Sequence, residues 1–147
     1  MTRKLFVLNG PNLNMLGQRE PELYGSATLD DVRQECVRVA DELDFDLFFA
    51  QTNAEHEIIA WLHDAYRQEA TVVINPAGFS FRSIPVLDAL RMLRTPVVEI
   101  HITNIHARDE AHRNSLVSSV ARTVIAGAGV YGYELAIRAA NRLTGAD

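Results

Sequence analysis

Residues 4–25 read "KLFVLNGPNLNMLGQREPELYG", and the point at which this stretch breaks decides the architecture. Lys4–Leu8 is a continuous apolar run, the pattern of a strand covered on both faces. From Asn9 to about Ala27 nothing periodic follows. A connection between strand and helix in a compact α/β domain normally takes about two to six residues. The contents of this one, rich in Asn, Gly, Pro, Arg and Tyr, favour an ordered functional loop over a disordered one.

The same strand type recurs downstream, at Asp46–Ala50, Thr71–Asn75, Pro96–Ile102 and Thr123–Gly127. Helical periodicity fills the intervals. Leu29, Val32, Cys36, Val39, Ala40 and Leu43 fall on one stripe, with Thr28 as N-cap and Asp31 in the first turn. Ile58, Ile59, Leu62, Ala65 and Tyr66 form a second stripe behind Asn53, the expected cap. A third helix is expected after Ser83, with Pro85 tolerated in its first turn, ending near Leu93. The last spans about Val130 to Leu143. Strand and helix alternate throughout, so the fold class is α/β: a parallel sheet of about five strands, helices on both faces, joined by right-handed crossovers.

The 147 residues suit one domain, 1–147. An apolar fraction of 48% with 22% charged residues is that of a soluble globular chain. A net charge of −5 argues against nonspecific binding to nucleic acid or an anionic membrane. No apolar run approaches the roughly twenty residues of a membrane span, and "LFVL" is too short for a signal-peptide core. A single cysteine, Cys36, excludes an internal disulfide and fits a reducing cytoplasm.

In a doubly wound sheet the ligand sits beyond the carboxyl ends of the strands. The unusual residues are there: the long first loop, "NPAGFSFRS" after strand three and "HITNIHARDEAHRNS" after strand four. The convergent set is Asn12, Arg19, Tyr24, Asn75, Glu99, His101, His106, Arg108, His112 and Arg113. No glycine-rich phosphate loop is present, which argues against a nucleotide. His101, His106, His112, Asp109 and Glu110 match no metal-ligand spacing, so no metal is expected.

Acid–base chemistry suits the set better. A free phenol ionises near pH 10, so a tyrosine base working near neutral pH needs roughly 4 kcal/mol of help toward the phenolate. Arginines pressed against it in a shielded site can supply that, and Arg19 and Arg108 are available. Glu99 and His101, two apart on one strand, share a face, and a carboxylate beside an imidazole orients it as a proton donor. Asn12 and Asn75 are suited to an oxyanion or an ordered water. Cys36 and Trp61 read as packing residues. These features alone leave a small-molecule lyase, an isomerase and a binding protein open.

Five segments narrow the choice: "LNGPNLNMLGQREPELYG", "QTNAEHEIIAWLHDA", "VINPAGFSFRS", "EIHITNIHARDE" and "IAGAGVYGYELA". Together they resemble the type II 3-dehydroquinate dehydratases, over nearly the whole chain and in order. The resemblance implies a flavodoxin-like three-layer α/β/α domain, a homododecamer built as a tetramer of trimers, and no metal or cofactor. It implies anti elimination of water from 3-dehydroquinate through an enolate, in shikimate biosynthesis or quinate breakdown. Tyr24 would be the base and Arg19 the lid arginine that favours its ionised form, with Arg108 nearby. Asn12 would bind the water that stabilises the enolate oxygen. His101 would protonate the departing hydroxyl, oriented by Glu99. Asn75 and the backbone amides of Ile102 and Thr103 would hold the substrate carboxylate, and Asp88 would reach a neighbouring subunit's site.

The chain departs from that pattern at a few positions. Phe81 stands at the family's usual histidine, Leu87 and His112 at usual arginines, and Thr103 at a usual serine. The missing histidine and arginine recognise ring hydroxyls of the substrate, whereas the proton-transfer residues are retained. A related hydroxy-ketoacid substrate, or a catalytically silent ligand-binding protein, are therefore the alternatives to 3-dehydroquinate dehydration.

Overall fold

The computed structural model describes residues 2–145. Five parallel strands, β1 (Arg3–Asn9), β2 (Phe45–Gln51), β3 (Thr71–Asn75), β4 (Val97–His101) and β5 (Thr123–Ala126), stand in the order β2-β1-β3-β4-β5. This is the flavodoxin-like order, and its direction of winding reverses between β1 and β3. Four helices cover the sheet: α1 (Leu29–Glu42), α2 (Glu55–Gln68), α3 (Ile84–Arg91) and α4 (Gly132–Leu143).

Successive side chains of a strand point to opposite faces, and the core divides accordingly. Leu5, Val7, Val73, Val98 and Ile100 pack with Val32, Cys36 and Val39 of α1 and with Tyr133 and Ile137 of α4. Phe6, Leu8, Val72, Ile74 and Val97 pack with Ile58 and Leu62 of α2 and with Val86 and Leu90 of α3. A strand apolar on both faces thus holds two helical layers together, which is why these strands read as unbroken apolar runs.

Thr28 caps α1 as expected: its hydroxyl accepts from Asp31 N, and the Asp31 carboxylate accepts from Thr28 N, a reciprocal box. Asn53 is not the cap of α2. Ala54 occupies that position, and the Asn53 Oδ1 is taken by Asn12 N at 2.9 Å and Gln51 Nε2 at 3.1 Å. α3 stops at Arg91, slightly short of Leu93, and a 3-10 turn at Gly129–Tyr131 precedes α4. Cys36 is packed in the core, where burial, aided by neighbouring Glu35, pushes its thiol up to about 12. Trp61 packs edge-on to Phe48, with ring centroids 5.9 Å apart.

The long first loop carries structure that its sequence hides. Leu13–Met15 forms a 3-10 turn, and Pro21–Tyr24 a single helical turn started by Pro21. Leu13 and Leu16 anchor the loop in the core beside α1 and α4. Among the described residues no helix is long and apolar enough to cross a membrane.

Candidate active site

The loops after β1, β3 and β4 meet at the β1/β3 reversal and line a small cleft that is open to solvent. Two close approaches hold it together. Gly10 donates its N–H to Asn75 O at 2.9 Å, joining the first loop to the third strand. Inside, a chain of hydrogen bonds runs from Ala77 N to Asn75 Oδ1 (3.2 Å), from Asn75 Nδ2 to Tyr133 Oη (2.9 Å), from Tyr133 Oη to Asn9 Oδ1 (2.7 Å) and from Asn9 Nδ2 to Ala50 O (3.0 Å). Burial pushes the Tyr133 phenol well up, so it stays neutral and donates. This network leaves Asn75 one amide hydrogen beyond the bond to Tyr133. Asn12 (φ 71°) and Ala77 (φ 50°), both on the cleft wall, adopt left-handed backbone at non-glycine positions. Such strain costs of order 1–3 kcal/mol each and is concentrated at functional sites.

One wall is Tyr24, at the end of the one-turn helix. Arg108 Nη1 donates to its phenolic oxygen at 3.0 Å. Arg19 is placed differently: its guanidinium carbon lies 4.8 Å from the Tyr24 ring centroid, and its Nη2 pairs with Glu20 at 3.0 Å. It covers the ring face, and the oxygen is left to Arg108.

His101 also lines the cleft. Its Nε2 meets Glu99 Oε2 at 2.5 Å, which leaves Nδ1 free of that bond. Glu99 is completely buried, and its carboxylate also accepts from Ser115 Oγ (2.5 Å) and Ser118 Oγ (2.6 Å). Burial by itself opposes the charge, but the bonds from His101, Ser115 and Ser118 outweigh it and hold this carboxyl below its ordinary value of 4.5. A native pKa below the unfolded one stabilises the fold above the unfolded value, and that stabilisation disappears as pH falls through the native value. The thermal stability of the wild type is therefore expected to fall as pH drops from 6 to 3.5, read as a lower Tm. In Glu99→Gln part of that slope disappears; an unchanged slope contradicts the assignment.

Phe81 stands between the two histidines. Its ring stacks on His101, with centroids 6.5 Å apart and planes at 29°, and meets His112 edge-on at 5.4 Å. His112 Nδ1 is held by both oxygens of Asp109, at 2.8 and 2.9 Å, and this pair draws the Asp109 carboxyl below its ordinary range.

Of the residues expected from the sequence, Asn12, Arg19, Tyr24, Asn75, Phe81, His101, Ile102, Thr103, Arg108 and His112 line this one cleft. Glu99 lies directly behind His101. His106 and Arg113 are exposed and do not line it. Asp88 does not line it either; it is exposed on α3, while its neighbour Leu87 is buried. Among the described residues no three His, Cys, Asp or Glu side chains gather as a ligand set. Ser115 and Ser118 were beyond sequence reasoning: serine carries no type signal, and the only cue is their spacing of three in "SLVS".

Known proteins share the sequence and fold of this chain. Residues 3–141 match the family described as dehydroquinase class II. The chain is 48% identical over 144 residues to 3-dehydroquinate dehydratase 1 of Agrobacterium fabrum, covering 98% of this chain and 99% of that one. It is 49% identical over 139 residues to the 3-dehydroquinate dehydratase of Brucella canis, covering 95% and 88%. The crystal structure of the type II dehydroquinase from Propionibacterium acnes superposes with a TM-score of 0.93 at 42% identity, covering 97% of this chain and 98% of that one. With the fold, the strand order and nearly the full length in common, this chain belongs to the class II dehydroquinase family.

Proposed function

We propose that the protein is a hydro-lyase that converts 3-dehydroquinate to 3-dehydroshikimate by anti β-elimination through an enolate. One observation carries the reading: a tyrosine hydrogen-bonded by Arg108 and a histidine backed by Glu99 line the same cleft. Tyr24, as the phenolate, takes the proton from the carbon beside the ketone. A proton in that position is too weakly acidic for an unaided side chain, so the enolate oxygen needs donors in place. Asn12, through an ordered water, fills that role. The imidazolium of His101 then delivers its proton to the departing hydroxyl, so water leaves and the double bond forms. Glu99 keeps the imidazole oriented for that transfer. Asn75 and the amides of Ile102 and Thr103 take the substrate carboxylate.

The same reading includes a cytoplasmic homododecamer in which Asp88 completes a neighbouring subunit's site. The exposure of Asp88 together with Ile84 (52% exposed) and Met92 (49%) on and beside α3 supports a subunit contact at that helix.

The phenyl ring between His101 and His112 favours a second reading, the same elimination on a related hydroxy-ketoacid. A substrate hydroxyl facing that ring lacks a partner, and a hydrogen bond to a charged group is worth about 1.5–3 kcal/mol. Steady-state kinetics on 3-dehydroquinate decide between the two. Under the first reading the wild type turns over, and Phe81→His lowers KM by roughly tenfold with little change in kcat. A very high wild-type KM that Phe81→His leaves in place supports the related substrate. Absence of turnover on any β-hydroxyketone removes both.

A further inference from the structure

Glu99 is a buried anion whose surroundings offer it little else. On the flanking strands its register partners are Ile74 of β3 and Val124 of β5, both apolar. The titratable group that meets it is His101 on its own strand, at Oε2. The remaining donors come from the segment after β4: Ser115 Oγ on Oε2 and Ser118 Oγ on Oε1. That segment is docked independently of the serines. Leu116 N donates to Ser80 O at 2.7 Å, and Val117 is buried beside Val97 in the core. The two hydroxyls are thus presented from a fixed backbone, one to each carboxylate oxygen.

We propose that Ser115 and Ser118 are positioning residues for the proposed acid: by clamping both oxygens of the Glu99 carboxylate they orient the His101 imidazole toward the cleft. This rests on the proposed function above. A carboxylate gripped at Oε2 by His101 alone is free to rotate about its last torsion, which is broad for a glutamate. The ring it holds then turns with it. Ser118 on Oε1 removes that freedom, while Ser115 shares Oε2 with the histidine and draws charge away from the proton that the imidazole must keep. A one-ångström error in the position of a proton donor is enough to lower turnover about a hundredfold. The serines are not among the residues that line the cleft, so their effect is expected on turnover and not on binding.

The test uses the full chain with Ser115→Ala, Ser118→Ala, the double variant, and Ser115→Thr/Ser118→Thr, which keeps both hydroxyls. Loss of a hydrogen bond to a charged group corresponds to a factor of roughly 10–150. The double alanine variant is expected to lose tenfold or more in kcat on 3-dehydroquinate at unchanged KM. The threonine pair is expected to recover to within about threefold of wild type. A second readout needs no substrate. The stability deficit of the double alanine variant is expected to be larger at pH 7, where Glu99 is charged, than at pH 3.5. Unchanged kcat in the folded variants, a deficit independent of pH, or no recovery by threonine each overturns the clamp and leaves only a packing role. If the wild type itself fails to turn over, the proposed reaction has failed. The clamp then stands or falls on the pH dependence of the stability deficit.

Discussion

Tyr24→Phe is expected to lower kcat on 3-dehydroquinate by about a thousandfold, within the range of roughly 10²–10⁴ associated with a positioned base, with KM changed no more than a few-fold. The substitution removes one oxygen and leaves the ring that Arg19 covers. Among the described residues, the hydrogen bond lost is the one from Arg108. Because that bond lies on a half-buried surface, unfolding should move little, and a large loss of activity cannot be blamed on the fold. The proposed mechanism gives substrate binding to other groups, Asn75 and the amides that follow β4, which is why it puts the effect in kcat. The measurement is steady-state kinetics alongside thermal unfolding of the same preparation. Retention of even a tenth of the wild-type kcat would mean that another group takes the proton.

The second large effect is structural. At Gly10 a Cβ would lie 2.4 Å from Pro76 O and 2.9 Å from Pro76 C. Both are backbone atoms, and Gly10 is already tied to Asn75 O by its own N–H. Nothing there can give way without moving the loop after β1 or the loop after β3. Gly10→Ala is expected to cost about 3 kcal/mol, lowering Tm by roughly 10 °C for a chain of this size. It should also impair turnover, since those two loops carry Tyr24 and Phe81. Gly132→Ala is the control. Its Cβ would meet Ile100 Cδ1 at 2.9 Å, the far end of a flexible side chain, so the cost should be about 1 kcal/mol. Equal Tm values for the two variants would overturn the close-approach argument.

The residues that could be read from the sequence share a property: their side-chain type is informative on its own. A tyrosine, two arginines and a Glu-x-His pair at the ends of apolar strands point to one edge of a parallel sheet, because topology brings all such ends together. Boundaries were less legible. Asn53 has the chemistry of a cap, yet its oxygen serves Asn12 and Gln51, a choice made by a contact 41 residues away in sequence. The helical turn at Pro21–Tyr24 is too short to show a period.

What the amino-acid order determined by itself was the layer architecture, through strands apolar on both faces and helices apolar on one, and the inventory of groups at the sheet edge. These are local properties, set by periodicity and by the chemistry of single side chains. Tertiary structure alone decided which of those groups meet. Arg108 rather than Arg19 bonds the Tyr24 oxygen, across 84 positions. Tyr133 reaches Asn9 across 124, and Ser115 and Ser118 converge on a carboxylate 16 and 19 positions before them. Hydrogen bonds form within about 3 Å whatever the separation along the chain, so their pairing is written only in the folded backbone.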